Sequence, residues 1–152
     1  MPEPKTLERA KQDLRSGKSA STAAGEFVRE EIHHVREGKH GARSAKQAIA
    51  IGLSKARRAG VKLRAPRKGT TSSRTRKQAK RDLAKGRSRS GTTSPRRSRA
   101  TTKALKREGR SAASKTALSR QARGAAKRRA RRGPTTSSAS RGPRKTTRAR
   151  AH

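Results

Sequence analysis

Five of the six residues from Lys127 to Arg132 are cations, namely Lys127, Arg128, Arg129, Arg131 and Arg132, and the breaker Gly133-Pro134 follows them. The chemistry open to such a run is phosphate binding, because each planar guanidinium can give two parallel hydrogen bonds to one phosphate. In a nucleated cell the same hexamer would also pass as a nuclear import signal. Ser94-Pro95-Arg96-Arg97 is a breaker-plus-cation turn of the kind that lays Arg96 and Arg97 along a narrow minor groove. Ala65-Pro66-Arg67-Lys68 and Gly142-Pro143-Arg144-Lys145 are looser analogues. Arg57 and Arg58, at the end of an expected helix, complete the candidate nucleic-acid-binding residues. Short arginine-serine tracts, Arg87 to Ser90 and Arg97 to Arg99, are few enough to arise by chance.

Other chemistries find less support. Gly17-Lys18-Ser19 has the end of a phosphate-binding loop, but Gln12 stands where that motif needs glycine. His33, His34 and His40 lie near Glu30 and Glu37 without the spacing of a zinc-binding helix, so solvent-facing histidines and no metal are expected. No nucleophile has a base at a recognisable spacing, which argues against an enzyme, and no cofactor is implied. The chain has no Cys, Trp or Tyr and one Phe. Without aromatic platforms on which bases stack, sequence-specific reading of single strands is disfavoured.

The charge is divided sharply along the chain. Residues 1 to 37 hold seven basic and seven acidic residues, whereas residues 38 to 152 hold 38 basic residues and two acids, Asp82 and Glu108. The whole net charge of +36 therefore falls after Glu37. Such self-repulsion calls for a polyanionic partner, and duplex DNA offers about one charge per ~1.7 Å of axis. DNA bound through its phosphates without sequence preference is the expected partner, with RNA or the ribosome as the alternative. No apolar run approaches the ~20 residues of a membrane span, and a cytoplasmic, nucleoid location is expected.

The elements that must position these cations are helices. Leu7, Ala10 and Leu14 share one face after a Thr6 cap, and Gly17 ends that helix. A second helix should start near Ser21 or Thr22 and run to Glu37, burying Ala24, Val28, Ile32 and Val35 before the Gly38 stop. Ser44 and Gln47 stand at capping-box spacing before a third helix that buries Ala45, Ile49, Gly52, Leu53 and Ala56. Gly60 should end it, with Val61 folding back on Ala56. The stripe from residue 45 to 56 is also a candidate surface for self-association. Thr75 and Gln78 repeat the capping-box spacing, and Lys11 to Ser19 (KQDLRSGKS) is echoed by Lys80 to Ser88 (KRDLAKGRS).

The run GEFVREEIHHVREGKHGARSAKQAIAIGLSKARRAGVKL, and above all Ser44 to Gly60 within it, resembles the shared module of small basic bacterial proteins described as histone-H1-like. Residues 104 to 129 loosely resemble a tail element that accompanies that module. The resemblance implies a DNA-associated or nucleoid role.

The fold expected is mainly α: a small module of about three short helices over residues 1–65, then a basic tail over residues 66–152. Leu83, Leu105 and Leu118 are the only large aliphatic side chains after Pro66. Three leucines cannot offset an ordering cost of roughly 1 to 2 kcal/mol per residue, so the tail is expected to be disordered when free, with transient helices.

Overall fold

Ser44 adopts an extended backbone (φ −157°, ψ 158°) and accepts a hydrogen bond from the Gln47 amide at 3.2 Å, which starts a helix where the sequence predicts one. Gln47 reaches back to the amide of Arg43 at 2.8 Å rather than to that of Ser44, so the reciprocal cap closes one residue early. The computed structural model describes residues 2–88 and 94–131. Among them are α1 (Pro4–Arg15), α2 (Ala20–Arg36), α3 (Ala45–Arg58), α4 (Ser73–Ser88), α5 (Pro95–Lys106) and α6 (Lys115–Arg131), with a 3-10 turn at Ser111–Ala113.

Local chemistry accounts for the boundaries. Ser19, not Ser21 or Thr22, caps α2 by accepting from the Thr22 amide at 3.2 Å. Thr6 is buried within α1, and Glu3 precedes that helix. Gly60 adopts φ 94°, open to glycine without strain, and the Val61 amide returns to the Ala56 carbonyl at 3.1 Å. Ala56 and Val61 are both buried.

Among the described residues, two apolar clusters hold α1, α2 and α3 together and join them to the 3-10 turn. Ala10, Ala23, Ala24, Phe27, Ala56 and Val61 join α1, α2 and α3. Val35, Ala42, Ala48, Ala112 and Ala113 join α2 and α3 to the 3-10 turn. The helices approach closely because small residues face one another. A Cβ at Gly52 would lie 2.6 Å from the Val28 Cα, inside any real contact. Val28, Ile32, Ile49 and Leu53 are only half-buried, while Ala23, Phe27, Glu30, Glu31 and Ala48 take the deeper positions.

The expectation of a short module followed by a disordered tail is overturned, because the fold runs on well past residue 65. Helix α4 packs on α3, and α6 and the 3-10 turn also reach α3. Asp82 anchors α4 from a site 1% exposed, accepting from Ser54 Oγ at 2.8 Å, Arg58 Nε at 2.8 Å and Gln78 Nε2 at 3.0 Å. Three donors compensate the loss of water around that carboxylate. Gly86 lies against the Arg57 carbonyl so tightly that a Cβ would overlap it. Farther along, the Gly41 amide donates to Leu105 O at 2.9 Å, Ala42 to Gly109 O at 3.0 Å, and Arg36 Nε to Ala113 O at 2.9 Å. Large aliphatic side chains contribute little to this cohesion, since ten of the thirteen buried apolar residues among the described residues are alanine.

Ala45, Gly52 and Ala56 of the 45–56 stripe are buried, and Gly52 is turned onto α2, so these small residues serve an internal helix crossing, while Ile49 and Leu53 of the same stripe stay half-buried.

Candidate functional site

Exposed cations lie on α4, α5 and α6, and α5 and α6 carry them without any carboxylate of their own. Five cations lie in α5 and seven in α6, and neither helix holds an acidic residue. Among the described residues α5 packs on no other helix. It is held at its C-terminal end by the Gly41 and Ala42 bonds and by Arg43, whose guanidinium lies 3.6 Å from Glu108. Helix α6 turns Ala117, Leu118, Gln121, Gly124 and Ala125 partly inward, near the 3-10 turn and α3, and its remaining residues outward.

The outward faces share a pattern. On α6, Thr116, Ser119, Arg120, Arg123 and Lys127 line one shallow open groove. On α5, Ser98, Arg99, Thr102, Lys103 and Lys106 line another. Spacings of three and four residues place each set on one side of its helix, as 3.6 residues per turn requires. Each face thus presents hydroxyl donors among cations, a mixture suited to phosphate oxygens. Helix α6, at seventeen residues, is ~26 Å long at ~1.5 Å per residue.

The residues singled out in the sequence meet different fates. Lys127, Arg128, Arg129 and Arg131 are exposed in the last turns of α6. Arg96 and Arg97 are exposed in the first turn of α5, and Pro95 opens that helix. The Ser94-Pro95-Arg96-Arg97 segment is therefore a helix start, since a proline at the first position sacrifices an amide with no partner in any case. Arg67 and Lys68 are exposed in the loop before α4.

Arg57 faces inward, 7% exposed, and its guanidinium donates to the carbonyls of Leu53, Leu63 and Arg64 at 3.3 to 3.5 Å. Burial pulls its pKa below the ordinary arginine value. Its work is to hold the chain after Gly60 against α3. Arg58 is engaged by Asp82. Arg132, Arg144 and Lys145 lie outside the described residues. Arg99, Lys103, Arg120 and Arg123 stand apart from the dense cation run of residues 127 to 132. For Arg99, Lys103 and Arg120 the signal is a hydroxyl next to a cation, repeated at helical spacing, and Arg123 follows Arg120 one turn on.

Among the described residues, donor atoms able to hold a metal converge at Glu31, His34 and His40, all within 4.8 Å of one another. His33 points elsewhere and is exposed, whereas His34 and His40 are each 14% exposed at the side chain. No helix among the described residues is long and apolar enough to cross a membrane.

No curated protein and no solved structure matches the chain. Residues 15–69 match a family of unknown function (DUF6496), a stretch that holds all of α2 and α3 and ends before α4.

Proposed function

We propose that this protein binds nucleic acid through phosphate contacts, without sequence preference, and that the outward faces of α5 and α6 carry the contact. Duplex DNA is the partner proposed, and compaction or protection of the duplex is the role. One observation carries the reading: the two carboxylates after Glu37 are already engaged, Asp82 by Arg58 and Glu108 by Arg43. Among the described residues, the cations of α5 and α6 have no carboxylate within ion-pair reach. Cations left uncompensated over two helices repel one another at (i, i+4), and phosphates relieve that repulsion.

The absence of stacking surfaces supports a reading limited to phosphates. The one aromatic ring of the Phe, Tyr and Trp kind, Phe27, is fully buried. Contacts to phosphate position a protein on its target and carry no sequence information.

The test compares affinity for a mixed-sequence duplex over a range of salt concentrations. Neutralising Arg120, Arg123 and Lys127 together to Gln should lower the slope of log affinity against log salt by about 2.7, at ~0.9 per lost contact. The folded signal should persist, because all three side chains are exposed. An unchanged slope would remove α6 from the contact. Competition with a structured RNA at matched salt separates DNA from RNA, and preference for the RNA would move the proposal to that partner.

A further inference from the structure

We propose that Glu31, His34 and His40 form a binding site for a divalent transition ion of the zinc class, separate from the cationic faces. Glu31 and His34 stand three residues apart on α2 and so share a side of it. His40 returns from the loop after α2, which Gly38 turns with φ 77°. One donor atom from each residue lies within 4.8 Å of the others, and two imidazoles with one carboxylate suit zinc and its neighbours better than calcium or magnesium.

The protons of His40 make the case. Its Nδ1 lies 3.1 Å from the Gly41 carbonyl oxygen, which can only accept, so Nδ1 carries a proton. Nε2 then faces Glu31 Oε1 at 3.1 Å. A lone pair against a carboxylate oxygen is repulsive unless a second proton or a metal ion stands between or beside them. Glu31 is 1% exposed at the side chain, and neither of its oxygens accepts a well-directed hydrogen bond. Lys55 stands beside Oε2 only, so Oε1 remains a buried carboxylate oxygen that faces His40 alone.

The surroundings have the form that supports a metal ligand. His34 Nε2 meets Glu3 Oε1 at 2.9 Å, the carboxylate-histidine arrangement that orients an imidazole for a metal. Lys55 approaches the other oxygen, Glu31 Oε2, at 2.6 Å and shares its charge with Glu30 Oε1 at 3.3 Å. Oε1 is thereby left to His40 and the ion. An ion here would pin the loop carrying His40 to α2, and the next residue, Gly41, bonds the end of α5.

The experiment adds Zn2+ and Co2+ to the metal-free, nucleic-acid-free full chain. One ion per chain is expected, with the visible Co2+ bands of a four-coordinate site and a rise in thermal midpoint. His34→Asn and His40→Asn should each weaken binding by more than about tenfold, and Glu3→Gln by about tenfold, the usual effect of losing an orienting partner. His33→Asn should change nothing. Should a variant fail to fold, the imidazole NMR signals of the unsubstituted protein decide, with those of His34 and His40 shifting on Zn2+ addition and that of His33 staying. Binding that survives both histidine substitutions, or rings of His34 and His40 that ignore Zn2+, would overturn the site and leave a proton as the cation between His40 and Glu31. Neither result bears on the α5 and α6 contact, which is read by its salt slope.

Discussion

Arg58 Nε donates to Asp82 Oδ1 at 2.8 Å, and this bond between α3 and α4 joins a carboxylate 2% exposed to a guanidinium side chain 48% exposed. The asymmetry sets an order of effects. Arg58→Ala strips the cation from a buried charge, which should cost about 2 to 3 kcal/mol, in the range of bonds to charged groups. Asp82→Asn removes the charge itself while keeping hydrogen-bonding capacity toward Ser54 and Gln78, and should cost less. Urea unfolding of both variants checks the order, with amide exchange showing whether α4 loosens first. Equal stability of Arg58→Ala and the unsubstituted protein would mean that the pair does not hold α4.

Two glycines in the first three helices should respond in opposite directions to the same substitution. Gly52→Ala would drive a methyl into the Val28 backbone at 2.6 Å, and overpacking of that kind costs about 1 to 3 kcal/mol. Gly25 lies within α2 with nothing inside 4 Å of a built Cβ. Gly25→Ala should therefore stabilise by about 0.5 to 1 kcal/mol, the helix preference of alanine over glycine. Urea midpoints of the two variants report the signs directly.

Salt should stabilise the free protein. The cations of α5 and α6 repel one another, and the screening length falls from ~10 Å at 0.1 M to ~3 Å at 1 M. The thermal midpoint should rise with ionic strength, and amides of α5 and α6 should gain more exchange protection than those of α2. A midpoint that fell with salt would show that ion pairs such as Lys55 with Glu31 outweigh the repulsion.

Gly86→Ala should detach α4 from α3. The added methyl overlaps the Arg57 carbonyl, a backbone atom that cannot swing aside like the end of a side chain. Loss of helical signal with α1 to α3 retained is the expected outcome in circular dichroism and amide exchange. Full retention of α4 would place its anchor elsewhere.

Where several helices begin and end, and where the charge lies, is legible along the chain alone. Ser44 and Gly60 act through their own side chain or lack of one, so their roles show in a few consecutive residues. What the same local chemistry is worth depends on how the helices pack. KQDLRSGKS and KRDLAKGRS look alike, yet Gly17 turns the chain with φ 74° while Gly86 stays in α4, pressed on Arg57. Asp13 pairs with nearby Lys18, whereas Asp82 is buried against Arg58 from another helix. His40 reaches Glu31 only because Gly38 reverses the chain, and Ala112 and Ala113 matter because Val35, Ala42 and Ala48 meet them from α2, α3 and the loop between. Alanine has no large apolar signature, so its contribution depends on how closely backbones approach, and distant parts of the chain set that distance together.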